Sequence, residues 1–419
     1  MDSSEPSGLM LAIFICILIV FIGTVLFRLL SRLFGDAAAG TGSYAVVPDR
    51  RIKHATVENF LREIAHEKPI RFSPRQLAGF TRGYSTQLGA GGFGTVYSGA
   101  LPNGLPVAVK VLHGGLGRRS EEQFMAEVGT IGRTHHINLV RLFGFCFDDA
   151  LRALVYEFVE HGALDTFLLH GGGGDGPGVG VPALRSIAVG VARGIRYLHE
   201  ECQKKIVHYD VKPGNVLLDG ELTPKVADFG LARLVNPADT HVSVSGMRGT
   251  PGYAAPELWM QSGVTEKCDV YSFGMLLLEI VGRRRNFDEA APESQQWFPK
   301  LAWAKFESGE LMELVAGGTA SRGSNGSVLV QDREIVERMC KVAFWCVQQR
   351  PEARPPMGVV VKMLEGEMEI ATPVNPFQHL MAAQPVALNR WTTTTSSSAN
   401  MALSLASGVS EDSDKIVSL

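Results

Sequence analysis

Four groups of residues in this 419-residue chain have the types and spacing to handle a polyphosphate. In LGAGGFGTV, Gly89, Gly91 and Gly94 stand at G-x-G-x-x-G spacing, with Val96 two residues on. Glycine lets the backbone approach a polyphosphate closely enough for amides to meet its charge. Dinucleotide sites share that spacing, but there it opens a helix. Here it runs into TVYSG, which reads as a strand, so Phe93 becomes the tip of a hairpin. Lys110 lies one short hairpin downstream in PVAVKVL, where a cation could reach the α- and β-phosphates. Glu127 shares a helical face with Phe124 and Ile131, which turns it inward as a partner. A buried lysine alone would lose its proton, whereas one paired with a carboxylate keeps its charge. In HYDVKPGN, Asp210 would accept the proton of an attacking hydroxyl, Lys212 would neutralise charge on a transferred γ-phosphoryl, and Asn215 would hold a magnesium ion. Asp228 in ADFG supplies a second metal ligand, with Phe229 packing beneath it. Oxygen ligands of this kind suit magnesium. The chemistry is phosphoryl transfer, which asks mainly for positioning and charge stabilisation. Each residue alone also reads as part of a surface turn; their joint order and context do not.

Recognisable elements must carry these residues. LGAGGFGTVYSGAL and LPVAVKVLH read as two strands around the turn Pro102-Asn103-Gly104, a strong hairpin signal. SEEQFMAEVGTIGRT reads as a helix with Ser120 and Gln123 as a capping box and Phe124, Val128 and Ile131 at helical spacing. Leu184, Ile187, Val191, Ile195 and Leu198 form the apolar stripe of a long helix. Two Gly-rich insertions, residues 170–180 and 316–327, interrupt the globular pattern. Residues 28–82 read as a linker containing GDAAAGTGS and a short helix near Val57 to His66. Residues 370–419 read as a disordered Ser/Thr-rich tail.

Composition bounds the function. The net charge is -3 with no clustered basic excess, so no nucleic-acid partner is expected. The six cysteines are scattered without a C-x-x-C pair and read as buried thiols of a reducing compartment. His135-His136 lacks a third ligand for a metal. Residues 9–27, LMLAIFICILIVFIGTVLF, carry no charge and approach the roughly 20 residues that cross a bilayer. Asp2 and Glu5 precede that run while Arg28 and Arg32 follow it, which places residues 1–8 outside and the remainder in the cytoplasm. The sequon at Asn325 would then stay unmodified.

GAGGFGTV, VAVK, HYDVKPGN, DFG, RGTPGYAAPE and DVYSFG, spread over about Gly83 to Glu369, resemble the eukaryotic protein kinases. The resemblance implies an α+β, two-lobed fold: a small antiparallel β-sheet lobe with one helix over residues 83–156 and a larger, mainly helical lobe over 161–369, preceded by a single transmembrane helix. It implies ATP and Mg2+ as cofactors. Leu88, Gly89, Ala90, Gly91, Gly92, Phe93, Gly94, Val96, Ala108, Lys110 and Glu127 would line the nucleotide site. Tyr156 would be the gatekeeper, and Glu157, Phe158 and Val159 would lie in the adenine-contacting hinge that runs to Glu160. The resemblance also pairs Glu257 with Arg354, braces the catalytic loop on Asp269, stacks Ile131, Leu142, His208 and Phe229 as a spine, and puts Thr250 in the substrate-docking loop. The loop lysine and GTPGYAAPE imply Ser/Thr specificity.

LVRLFGFC, LVYEFVEHGAL and FWCVQQRPEARPPM are similar to plant receptor-like kinases, and TPGYAAPELW with GVTEKCDVYSFG and GRRRN most resembles the leaf-rust-resistance kinase-like group. The chain is expected to differ from that group in lacking an ectodomain, as a short isoform, a tethered kinase working with a co-receptor, or an incomplete gene product. The resulting expectation is a plasma-membrane-anchored Ser/Thr kinase of receptor-type signalling with protein substrates. The alternative is a pseudokinase scaffold that binds a receptor partner.

Tyr209 stands where most such loops carry arginine, a non-RD pattern. That arginine grips a phosphate on the activation segment. Tyrosine forms no bidentate ion pair. The expectation is a kinase whose activation needs no phosphate at this position, whatever happens at Thr240, Ser243 and Ser245.

Overall fold

The computed structural model describes residues 69–92, 94–113, 118–148, 151–169, 179–235, 249–260, 264–315 and 326–381. The predicted spanning run, the helix near residue 60, Phe93, both Gly-rich insertions over most of their length, Thr240, Ser243, Ser245 and most of the tail lie outside them. Among the described residues no helix is long and apolar enough to cross a membrane. The chain divides into two units, residues 1–376 and 377–419, and in the second only Phe377 and the one-turn helix Gln378–Met381 are described.

Alternating apolar residues build the smaller lobe. Its sheet has six strands: β1 (Ile70–Arg71), β2 (Gln87–Gly91), β3 (Gly94–Ala100), β4 (Pro106–Leu112), β5 (Leu142–Phe147) and β6 (Arg152–Glu157), in the order β1-β5-β6-β4-β3-β2. Val107 and Val109 on β4 and Val155 on β6 are fully buried, as central strands require. The sheet is antiparallel except at one edge, where β1 runs parallel to β5. That strand and α1 (Pro74–Phe80) fall in the stretch read from sequence as linker. Ser73 caps α1, accepting from the Gln76 amide while the Gln76 side chain accepts from Ser73. Ile70, Phe72 and Leu77 enter the lobe's core. A Cβ on Gly144 would meet the Ile70 carbonyl oxygen at 2.3 Å, so glycine is what lets β1 lie this close. The small lobe thus carries two helices and one parallel pairing, where one helix and an antiparallel sheet were expected. The second helix, α2 (Arg118–Thr130), lays Phe124, Glu127 and Val128 inward. It begins before Ser120, so that residue lies in the first turn and is not its cap.

The larger lobe is helical. After a short ribbon, β7 (Gly162–Ala163), and α3 (Leu164–Leu169) comes α4 (Val181–Arg196), whose stripe Leu184, Ile187, Val191 and Ile195 is buried as its spacing predicts. Four short strands then frame the catalytic loop: β8 (Lys205–Val207), β9 (Val216–Leu218), β10 (Pro224–Val226) and β11 (Arg233–Val235), with β10-β9-β7 and β11-β8 as two small sheets. Helix α5 (Pro256–Met260) leads to α6 (Lys267–Gly282), which is buried on every side apart from its ends. A helix apolar all round belongs at the centre of a lobe. Against it pack α7 (Phe298–Glu307) and α8 (Gly326–Cys346), while α9 (Met357–Glu365) packs on α4 and α8. Close approach requires glycine here too: a Cβ on Gly274 would sit 2.7 Å from Cys346 and Val347 of the α8 side.

Candidate active site

Two buried side chains, Lys110 and Glu127, and the half-buried Asp228 meet between the lobes. Lys110 on β4 donates to Glu127 Oε1 of α2 at 2.7 Å and to Asp228 Oδ1 at 2.7 Å. The Tyr156 hydroxyl at the end of β6 donates to the other Glu127 oxygen, Oε2. Burial alone would pull the Lys110 ammonium down, but Glu127 and Asp228 overcome it and hold it above its ordinary value. Burial lifts Asp228, yet Lys110 reverses this and sets its carboxyl below the usual range. Desolvation raises Glu127, against the pull of Lys110 and Tyr156. Two donors converging on its two oxygens match the ionised form. Gly230 lets α2 come this close, since a Cβ there would meet Glu127 Oε1 at 3.1 Å and Gln123 at 2.9 Å.

The glycine loop hangs over this ion cluster. Val96 lies opposite Lys110 in the β3–β4 register, and Ala108 opposite Tyr156 in β4–β6. The glycines differ in why they are glycine. A Cβ on Gly94 would strike the Val111 carbonyl at 2.4 Å, so the sheet itself demands it. Gly89, Gly91 and Gly92 face open space within 4 Å, so packing within the protein does not demand them. Backbone approach to a bound phosphate would. Leu88, Ala90, Gly91 and Gly92 are exposed at the rim; Val96, Ala108, Glu157 and Phe158 are half-buried; Val159 is buried. The Glu157 carboxylate is held by the Arg141 amide at 2.8 Å and Lys225 at 3.3 Å, which fixes the segment between the lobes.

Asp210 stands across the cleft, buried on the loop between β8 and β9. Its Oδ2 accepts from Asn215 Nδ2 at 2.9 Å and pairs with Lys212 Nζ at 3.0 Å. Its Oδ1 accepts from the Thr250 hydroxyl at 2.6 Å, and that hydroxyl in turn accepts from Lys212 at 2.8 Å. Thr250 thus completes the cluster. Sequence reading set it in a docking loop and left it out of the catalytic group, because a contact across 40 positions leaves no local pattern. Only its place in GTPGYAAPE pointed to it.

The loop's shape is imposed from beneath. Tyr209 has φ 65°, a left-handed conformation that costs a bulky residue. Asp269 on α6 compensates, accepting the His208 amide at 2.7 Å, the Tyr209 amide at 2.8 Å and His199 Nε2 at 2.9 Å. Burial would raise Asp269, but those donors hold it below its ordinary value. Tyr209 itself is buried. The His208 ring packs 4.8 Å from Phe229, and Ile131 and Leu142 are buried with them. Arg354 donates to Glu257 at 2.6 and 2.9 Å and to the carbonyls of Gln348, Lys267 and Gln349, which uses all five of its N–H groups.

Asn215 and Asp228 fit a magnesium ion. The Asn215 amide nitrogen is spent on Asp210, leaving its oxygen as an acceptor, and one Asp228 oxygen holds Lys110 while the carboxylate retains lone pairs. Among the described residues no group of three or more His, Cys, Asp or Glu side chains could hold a metal. Magnesium needs none, since it binds through one or two protein ligands and phosphate oxygens. His135 and His136 form no such site; His136 stacks on Tyr197 at 5.0 Å.

Comparison with known proteins agrees. A family model described as protein tyrosine and serine/threonine kinase matches residues 83–364. A G-type lectin S-receptor-like serine/threonine-protein kinase of Arabidopsis thaliana is 46% identical over 317 residues, 75% of this chain and 37% of the relative. Rust resistance kinase Lr10 of Triticum aestivum is 40% identical over 77% of this chain and 50% of its own length. A LEAF RUST 10 disease-resistance locus receptor-like protein kinase-like protein of Arabidopsis thaliana is 42% identical, covering 74% of this chain and 47% of the relative. The chain therefore spans half or less of the length of these plant receptor-like kinases.

Proposed function

Since the chain belongs to the protein tyrosine and serine/threonine kinase family, we propose that it transfers the γ-phosphate of ATP, with Mg2+, to serine and threonine hydroxyls of proteins. The observation that carries this is the pair of facing clusters, Lys110–Glu127–Asp228 and Asp210–Lys212–Asn215–Thr250, each hydrogen-bonded at 2.6–3.0 Å. Bound Mg2+-ATP supplies the phosphoryl group and the charge that neutralises it. Lys110, kept protonated by its two carboxylates, binds the α- and β-phosphates. Asn215 and Asp228 hold the metal. Asp210 orients the acceptor hydroxyl and takes its proton, while Thr250 fixes the rotation of the Asp210 carboxylate. Lys212 stabilises charge on the transferred group. Every one of these side chains is present and engaged, which favours an enzyme over a scaffold.

The apolar run at residues 9–27, flanked by Arg28 and Arg32, supports anchoring in the plasma membrane with the kinase domain on the cytoplasmic side. The words receptor-like in two relatives' names support a role in receptor-type signalling, and a chain so anchored would work with a co-receptor. Tyr209 supports activation without phosphate capture at the catalytic loop. The test of the enzymatic reading is Mg2+- and ATP-dependent autophosphorylation beside Asp228→Asn. Incorporation by the wild type alone is expected; incorporation by neither, with nucleotide still bound, would replace the enzyme with the scaffold.

A further inference from the structure

A cavity of about 310 Å³ opens beside Asp210, with Lys212 and Thr250 of the catalytic cluster in its wall. Lys212 and Thr250, which both bond Asp210, line this space, so a chain that presents a hydroxyl to Asp210 has room here for its neighbouring residues. The rest of the lining carries five ionisable groups, Asp165, Tyr253, Glu279, Arg284 and Arg285, whose availability differs sharply. Glu279, near the end of α6, is buried and turned into the protein: its Oε1 accepts from the Tyr253 hydroxyl at 2.9 Å and the Asn286 amide at 2.6 Å. Burial, then Glu279, keeps the Tyr253 phenol protonated as that donor. Arg284 is half-buried, donates to the Gln295 carbonyl at 3.1 Å and lies 5.4 Å over the Phe298 ring. Lys212 is spent on Asp210 and Thr250. Arg285 is different. It is exposed and makes no hydrogen bond or ion pair among the described residues, although it lies close enough to influence Tyr253 and Glu279.

Of the two acids that line this cavity Glu279 is withdrawn and Asp165 is half-buried, accepting from the Thr166 amide at 2.7 Å, while Arg285 is an exposed cation without a partner among the described residues. Asp165, on α3, lines the cavity near Gly214 and acts on Tyr253 and Glu279 in the sense opposite to Arg285. It would repel an acidic residue placed beside it. We propose that Arg285, with Arg284 behind it, makes this kinase select protein acceptors with an aspartate or glutamate at one fixed position beside the phosphorylated hydroxyl. The selection is positional and not a general taste for acidic proteins, because Asp165 repels an acid next to itself while Arg285 attracts one. The inference rests on the kinase reading above and names its substrate class.

The test is phosphorylation of a positional-scanning peptide library by the full-length chain, with Arg285→Glu and Arg285→Ala beside it. A partly screened ion pair gives a preference of about fivefold. Wild type should favour Asp or Glu over Lys by about that factor at a single position, Arg285→Ala should erase the preference, and Arg285→Glu should turn it toward Lys or Arg there. An unbiased wild-type profile, or an acidic preference that survives Arg285→Glu, overturns the inference. If no peptide is phosphorylated, it is the enzymatic reading that fails. The cavity is then judged by fluorescence anisotropy of peptides with alanine at the acceptor position; equal affinities for the acidic and basic versions would overturn the inference as well.

Discussion

Glu127 receives Lys110 on one carboxylate oxygen and the Tyr156 hydroxyl on the other, and the second contact has a measurable consequence. A hydrogen bond to a charged group is worth about 1.5–3 kcal/mol. Tyr156→Phe removes it and leaves a fully buried carboxylate short of a donor. Stability to urea should fall by about that amount, and kcat should fall because α2 is held inward less firmly. An unchanged unfolding midpoint would show that the contact contributes nothing. Thr250 is a positioning residue whose hydroxyl does the work, so Thr250→Ser should keep most of kcat while Thr250→Ala loses about tenfold or more with little change in the KM for ATP. Equal loss in both variants would remove the hydroxyl from the account. These two contacts were not legible in the sequence. Asp210, Lys212, Asn215 and Asp228 were, because their motifs are short and contiguous. Tyr156 to Glu127 and Thr250 to Asp210 join positions 29 and 40 apart, and no spacing rule reaches that far.

Elements show the same division. The long stripe of α4 and the hairpin of β3 and β4 follow from periodicity and a Pro-Asn-Gly turn. The edge strand β1 does not, because two residues are too few to show alternation and its partner β5 is more than seventy positions away. Its importance shows in packing. Leu77→Ala should cost about 2–5 kcal/mol, as for a buried leucine in a closed core, though the residue lies in a stretch that reads as linker. A thermal midpoint within a degree of wild type would mean that this segment is only draped over the sheet. Beneath the catalytic loop, Asp269 on α6 makes stability depend on acid. Its folded carboxyl lies below the ordinary aspartate value of about 3.9. Its contribution is therefore complete above that value and is lost as pH falls through the folded one. Asp228 acts in the same sense, whereas Glu127, raised by burial, has a cost that acid relieves. Asp269→Asn should be less stable at neutral pH and show a shallower loss between pH 5 and 3. Parallel acid limbs in the two proteins would refute the assignment.

At the scale of the whole molecule, the proposed catalysis would depend on two lobes that each complete half of the site. The smaller brings Lys110, Glu127 and the glycine loop; the larger brings Asp210, Asn215 and, through Asp228, the contact that joins the halves at 2.7 Å. Arg354, buried with every donor engaged, ties the Glu257 end of the substrate-side segment to the base of the larger lobe. The two-lobed plan was legible as a resemblance, since the motif order fixes it. Membrane anchoring rests on the sequence of residues 9–27. The most direct measurement of the central claim is the rate of phosphate transfer from Mg2+-ATP to a mixed set of Ser, Thr and Tyr peptides by wild type and Asp210→Asn, with nucleotide affinity measured in parallel. The account predicts transfer to Ser and Thr peptides and a loss of about 10²-fold or more in the variant at unchanged nucleotide affinity. Equal rates in the two proteins, or transfer to tyrosine alone, would contradict it.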